Sequence, residues 1–236
     1  DKMLDGKTVK ISPYIGEETE GLKGYSNIKD MKELFQLAHL YFTSPRKDKN
    51  AFASLMNRQS EFLTNRDANP SVSYNDSIIS ILYGNNPRMA PIKKESLPLI
   101  NYDRIMQIYK ERFADASDFS VILTGNIDMK TIRPLICNYL ASLKGYNSNE
   151  QIKDNHVYIR DANETHMFPK EQATPSSLTS VFIKAKTEYN ADNSLLIDVM
   201  SQILRMMYTD KVREEKGGTY GVSVNGELER YPYAEA

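Results

Sequence analysis

The sequence predicts an α+β fold in which antiparallel sheets pack against layers of helices. Three observations carry that expectation. The middle of the chain is dominated by segments whose apolar residues recur at three- and four-residue spacing, the signature of helices buried along one stripe. Short alternating or β-branched runs flank those segments. The two kinds of segment do not alternate regularly, as a doubly wound parallel sheet would require. Neither an internal repeat, a low-complexity tract nor a heptad series is present.

The 236 residues suit one large domain or two of ordinary size. With 40% hydrophobic and 26% charged residues, the chain has ample material for a core. A net charge of -1, with both signs interspersed, offers no basic field for nucleic acid and no polybasic membrane anchor. No apolar run approaches the roughly 18 residues of a membrane span, and the N-terminus lacks a signal-peptide pattern. A chain starting at Asp1 without methionine is compatible with a removed targeting segment, so the compartment stays open. The single cysteine, Cys137, excludes an internal disulfide framework. Its place in the apolar segment Ile132–Leu143 predicts a buried, inert thiol.

Taken in order, Lys7–Ser12 alternates polar and apolar residues as a half-buried strand does, and Ile15–Gly24 can supply a paired second strand. The carboxylates Glu17, Glu18 and Glu20 in that segment have no histidine nearby and read as a solvated hairpin. Asn27 or Asp30 can cap a helix with Met31, Leu34, Phe35, Ala38 and Tyr41 or Phe42 on its buried side, ended by Ser44-Pro45. His39 lies beside that stripe, without a second histidine four residues on. A second helix spans Lys49–Asn65, and turn chemistry around Pro70 fills Asn65–Ser73. Tyr74–Tyr83 and Tyr102–Phe113 are the next helices. Asp115–Asp118 is a turn, Phe119–Thr124 a strand, and Asp128 caps a helix Met129–Leu143. One glycine, Gly125, between that strand and helix is too little for a phosphate loop. Gly145–Glu150 is the best candidate boundary. Beyond it, His156–Arg160 and Ser180–Ala185 read as strands. A long helix starts at Asn190–Asn193, with Leu196, Val199, Met200, Ile203, Leu204 and Met207 facing inward, and Tyr208–Lys216 forms a separate helical turn. His156 and His166 sit in loop-rich sequence with no matching ligand set.

The stretch Asp210–Val224 is where chemistry can be sought. A helix ending near Lys216, with Gly217-Gly218 behind it, fits a left-handed C-cap. Lys211, Arg213 and Lys216 complement the dipole at that end. In a following strand Tyr220, Val222 and Val224 share one face, and Thr219, Gly221 and Ser223 the other. A capped helix and a packed tyrosine account for all of this. Equally, Arg213 and Tyr220 can converge where the helix end meets the strand start. A guanidinium and a phenol both donate hydrogen bonds without deprotonation. Such donors suit a peptide carbonyl oxygen whose charge grows during water attack, but they cannot generate the nucleophile.

Arg213-Glu-Glu-Lys-Gly-Gly-Thr-Tyr-Gly-Val-Ser223 resembles the C-terminal-half signature of the pitrilysin/insulinase family of zinc peptidases. Glu20-Gly-Leu-Lys-Gly24, Leu34–Arg46 and Tyr109–Leu143 read like the same half, so the resemblance runs through nearly the whole chain in order. It implies a partial pitrilysin-like α+β architecture. Residues 1–146 would be most of the third domain of a longer protein, lacking its first strands and helix. Residues 147–236 would be the truncated start of a fourth. In the family an inverted H-x-x-E-H motif on the N-terminal half supplies two zinc ligands and a glutamate that activates water. None of His39, His156 and His166 belongs to such a motif, so the resemblance implies zinc in the parent and none bound by this chain. Arg213 and Tyr220 would then contact the substrate carbonyl and the transition state, with Gly218 and Thr219 beside them on the substrate side.

The function implied is that of the substrate-binding half of a zinc metalloendopeptidase. Its partners would be peptide substrates and a zinc-bearing half on the same chain. The alternatives are an inactive partner subunit of a two-chain peptidase, or a non-catalytic peptide-binding scaffold of the same fold.

Overall fold

The computed structural model describes residues 2–16, 18–66, 69–148, 150–151, 153–171 and 174–230. The chain divides into two compact units. One comprises Asp1–Asn65 with Ile92–Lys153, the other Arg66–Pro91 with Asp154–Ala236. The architecture is α+β and mostly helical, with a small antiparallel sheet. No helix among the described residues is long and apolar enough to cross a membrane.

In the first unit the expected hairpin is present. Strand β1 (Val9–Ile15) pairs antiparallel with β2 (Glu20–Ser26), from Val9 opposite Ser26 to Ile15 opposite Glu20. Gly16 N–H closes the turn onto Thr19 O at 2.8 Å. Of the acidic residues noted there, Glu17 lies outside the described residues, and Glu20 is in reach of Arg112 at 3.8 Å. Helix α1 (Met31–Thr43) follows and buries Phe35. Asp30 stands at its N-cap but does not cap it. Its buried carboxylate accepts Thr8 N–H at 2.8 Å, while Asn27 Oδ1 accepts Asp30 N–H at 2.7 Å. A three-dimensional neighbour has displaced the local capping bond, and the hairpin is thereby tied to α1.

Helix α2 (Lys49–Arg66) is capped by Asp48, whose Oδ1 accepts Ala51 N–H at 2.9 Å. Helix α4 (Tyr102–Arg112) is capped by Asn101, and Phe52 stacks on Tyr102 with centroids 4.4 Å apart. Phe42, Tyr109, Phe113 and Phe119 form an aromatic cluster, with Phe113 buried at its centre. Tyr109 Oη donates to Tyr41 O at 2.9 Å, and burial pushes its phenol up to about 12. His39 Nδ1 lies 2.8 Å from Tyr139 O, which makes it a rim residue bonded to backbone.

Asp128 caps α5 (Met129–Leu135) through Lys130 and Thr131 N–H, as expected. The helix shortens at Pro134 and winds on as a π turn through Ile136–Leu140. Cys137 is exposed, not buried as its apolar surroundings suggest. It lies five residues beyond the buried Ile132, about 140° round a regular helix and so off the core face. Phe119–Thr124, expected as a strand, makes no ladder among the described residues; Val121 and Ile122 stay exposed. Alternating apolar residues favour extension, but a strand exists only where a second backbone satisfies it.

The stretch at Gly145–Glu150 is held by one carboxylate. Asp115, 8% exposed, accepts Ser117 N–H at 2.9 Å, Tyr146 N–H at 2.8 Å and Ser148 N–H at 2.9 Å. Ser117 Oγ donates to the same carboxylate and accepts Asn147 N–H at 2.9 Å. Ala116 N–H reaches Lys144 O at 2.9 Å, so the loop is clamped along both sides.

In the second unit, α3 (Pro70–Leu82) begins four residues before the expected start at Tyr74. Pro70 occupies the first helical position, where its missing N–H costs nothing, and Asn69 Oδ1 accepts Ser71 N–H at 3.0 Å. The turn-like chemistry around Pro70 was therefore a helix start. Arg66 grips Asp76 with two bonds of 2.6 Å. His156–Arg160 is no strand. His156 has φ +54°, a left-handed kink, and Arg160 N–H donates to Leu82 O at 2.8 Å at the end of α3. Ser180–Ala185 likewise lacks a ladder; Lys184 Nζ donates to Ile159 O at 2.7 Å, and Val181 to Ile183 are exposed.

Helix α6 (Ala191–Tyr208) is capped by Asn190, whose side chain accepts Asn193 N–H at 2.8 Å. Its buried residues are Ile197 and Ser201, packed against Gly226. Of the expected inward stripe, Leu204 is half-buried, while Leu196, Val199, Met200, Ile203 and Met207 are exposed. Only the Ile197–Ser201 face meets a packed segment among the described residues, and burial follows the segment.

Asp115 carries the first unit's clearest pH signature. The Ser117 hydroxyl, then the Ser148, Tyr146 and Ser117 amides, hold its carboxyl well below the usual range. A depressed folded pKa stabilises above the unfolded value of about 4, and that stabilisation is lost as pH falls through the folded value. Asp115→Asn should lower the unfolding midpoint by several degrees at pH 7. The gap to wild type should stay constant above about pH 5 and narrow below about pH 4. Thermal melts across pH 2.5–7 check this.

Candidate functional site

Helix α6 does not stop at Tyr208. Thr209 keeps helical dihedrals, and the rod continues as a π turn through Thr209–Glu215, so the turn expected to stand apart at Tyr208–Lys216 is the unbroken end of α6. Lys216 caps it, and Gly217 takes φ +59°, where an L side chain is strained. Gly217 N–H returns to Arg213 O at 3.0 Å and Gly218 N–H to Val212 O at 2.9 Å. The second return is one residue longer than in a Schellman cap because the final turn is π-wound. Open space surrounds the position of a Gly217 Cβ, so the requirement there is conformational.

Arg213 projects from this last turn with its side chain half exposed, its Nε 3.5 Å from Glu214 Oε1. Lys211 pairs with Glu215 at 2.6 Å on the same turn. Past the glycines, Thr219 Oγ1 donates to Gly221 O at 2.9 Å and accepts Gly221 N–H at 3.3 Å. That side-chain turn puts Tyr220 at its apex, fully exposed. The expected strand Tyr220–Val224 is absent as a ladder. Val222 and Val224 are half-buried while Tyr220, of the same parity, is turned out to solvent. The physical reason is local: the Thr219 hydroxyl satisfies the backbone that a strand partner would otherwise need.

Among the described residues no hydrogen bond joins Arg213 to Tyr220, and the Tyr220 phenol has no partner. Gly218 and Thr219 use their own polar groups to close the turn. What the arrangement offers is two donors at one helix end, one free and one loosely paired. Two clefts of the first unit, of about 470 and 540 Å³, are lined by residues of 45–114 and contain neither.

The sequence reading passed over Arg205 and Gly226. Arg205 Nη2 donates to Val224 O at 2.7 Å and lies 3.4 Å from Asn225 Oδ1. A Cβ on Gly226 would stand 2.3 Å from Ser201 Oγ and 2.7 Å from Ile197 Cγ2. A basic residue late in α6 is the only signal the sequence carries for the first, and it is indistinguishable from dipole compensation.

Histidine geometry does not fit a zinc site. His156 Nδ1 faces Asp154 Oδ2 at 3.2 Å, His166 Nε2 faces Glu164 Oε2 at 2.8 Å, and His39 faces a carbonyl. No three metal-ligating side chains converge among the described residues.

A family model described as the peptidase M16 inactive domain matches residues 99–230. The Probable zinc protease PqqL of Escherichia coli (strain K12) is 22% identical over 191 residues, covering 80% of this chain and 20% of that protein. Its counterpart of the same name in Haemophilus influenzae is 18% identical over 213 residues, covering 90% of this chain and 22% of that one. The crystal structure of the periplasmic protease PqqL from Escherichia coli overlays with a TM-score of 0.74 at 19% identity. That overlay covers 94% of this chain and 24% of that chain. The ferredoxin protease FusC, solved in complex with Arabidopsis ferredoxin, overlays at 0.66 with 14% identity, over 97% and 25% of the two chains. This chain therefore spans between a fifth and a quarter of these relatives' lengths. With more than half of its residues inside the family match, the chain belongs to the peptidase M16 (pitrilysin) family, as a domain of the inactive type.

Proposed function

We propose that this chain is part of the substrate-binding half of a pitrilysin-type zinc metalloendopeptidase, in which Arg213 and Tyr220 hold a peptide carbonyl as it becomes an oxyanion. The observation that carries the proposal is the exposed, unpartnered Tyr220 phenol, set one short turn beyond the capped helix end that bears Arg213. A phenol and a guanidinium of this kind strengthen their bonds as charge develops on oxygen, which favours the transition state over the bound substrate. Gly218 and Thr219 form the turn over which the substrate passes. Zinc and the base that activates water belong to another half of the parent, on the same chain or on a partner subunit. Residues 1–146 and 147–236 then correspond to parts of two successive domains of that parent. An H-x-x-E-H motif in the same open reading frame separates the single-chain arrangement from the two-chain one.

Purified alone, the chain should hold no stoichiometric zinc and cleave no peptide. Elemental analysis finding one zinc per chain overturns the assignment of the metal to another half.

In the full-length peptidase, Tyr220→Phe should lower kcat by roughly 10²-fold, about 3 kcal/mol, and leave KM within a few-fold. An unchanged kcat in steady-state peptide hydrolysis would reduce Tyr220 to a surface residue.

A further inference from the structure

Both candidate donors are referred to one helix, and the second is referred to it through a clamp. We propose that Arg205 is a positioning residue for Tyr220, with the close approach of Gly226 to α6 as its second anchor. The inference rests on the function proposed above.

Arg205 lies eight residues before Arg213 on the same continuous rod. Its guanidinium reaches Val224 O, four residues past Tyr220, at 2.7 Å, and Asn225 Oδ1 at 3.4 Å. It has no carboxylate partner among the described residues. Were it merely complementing the helix dipole, it would face the last carbonyls of its own helix; it bonds a carbonyl 19 residues away instead. Two residues further, Gly226 sits so close to Ser201 and Ile197 that no side chain fits, and Leu228 is buried beyond it. The segment after Tyr220 is thus stapled to α6 by a charge-assisted bond and a backbone-to-helix contact.

On the other side of Tyr220 the chain leaves the helix at Gly217 and Gly218, where the left-handed φ of Gly217 and the two N–H returns to Arg213 O and Val212 O fix only the point of departure. Tyr220 therefore lies between two attachments to the helix, the glycine cap before it and the Arg205 and Gly226 contacts after it. With the clamp closed, Arg213 and Tyr220 keep a set relation through the rod. With it open, the phenol samples a wide range, and the entropy of finding the carbonyl falls on the catalytic step. Arg205 touches no substrate in this arrangement; it acts through the chain that carries Tyr220.

The test uses the full-length peptidase with a fluorogenic peptide, alongside amide hydrogen exchange. Arg205→Met keeps length and helix propensity while removing the donor. It should lower kcat on the order of tenfold, leave KM within about twofold, and be largely rescued by Arg205→Lys. In a Tyr220→Phe background the same change should have little further effect, because the group it positions is gone. Exchange should quicken across residues 219–226 and stay unchanged in α6. Gly226→Ala should produce the same signature by steric displacement, which keeps the inference testable if Arg205→Met fails to fold. A loss of equal size in the Tyr220→Phe background, or unchanged exchange at 219–226, overturns it. Should Tyr220→Phe itself leave kcat unchanged, the proposed function fails, and the exchange result alone decides whether the clamp exists.

Discussion

The way the chain leaves α6 constrains everything that the candidate site can do. The rod ends in a π turn, so its last carbonyls are met by returns from Gly217 and Gly218. A left-handed residue is needed at 217, where a side chain would cost about 1–2 kcal/mol. That one dihedral decides that the following residues, Tyr220 among them, depart from the helix end. Glycine at this point is less a flexible joint than the residue type that permits the reversal.

A second device recurs in the first unit. Asp30 and Asp115 are both buried carboxylates that accept backbone N–H from a segment distant in sequence, Asp30 from Thr8 and Asp115 from Tyr146 and Ser148. Each replaces part of the work of a hydrophobic core, joining the hairpin to α1 in one case and the 144–148 loop to the turn before Phe119 in the other. At Asp115, charge-assisted bonds to three amides at once compensate the burial of the anion. The aromatic cluster around Phe113 supplies the apolar share.

Helices were readable from the sequence because their signals are local. Asp128 caps where its side-chain chemistry places it, and the helices expected to start at Tyr102 and at Asn190–Asn193 do so. Pro70 misled because proline marks turns and helix starts alike, and only the Asn69 side chain tells which. Strands beyond the first hairpin were not readable, since a run such as Val121–Leu123 states a preference while pairing needs a distant backbone. The apolar breadth of α6 was visible, but not which side meets Gly226. In the candidate site, the helix end and its glycine cap were legible from Arg213 to Gly218. The outward turn of Tyr220 was not, because it depends on one hydroxyl choosing its neighbour's backbone. Arg205 was invisible for a related reason: its partner is a main-chain carbonyl, which has no side-chain signature.

The forked pair between Arg66 and Asp76 bears on how the chain acquires its structure. Its two ends are 10 residues apart, and each lies in a segment with a helical period of its own. Closing so short a loop takes little chain entropy, and it occurs on a timescale of roughly 10–100 ns. Tyr74 and Ser180, by contrast, are joined across 106 residues. The Arg66–Asp76 link can thus form as a local nucleus during synthesis, before the residues beyond 150 that later pack on α3 have been made.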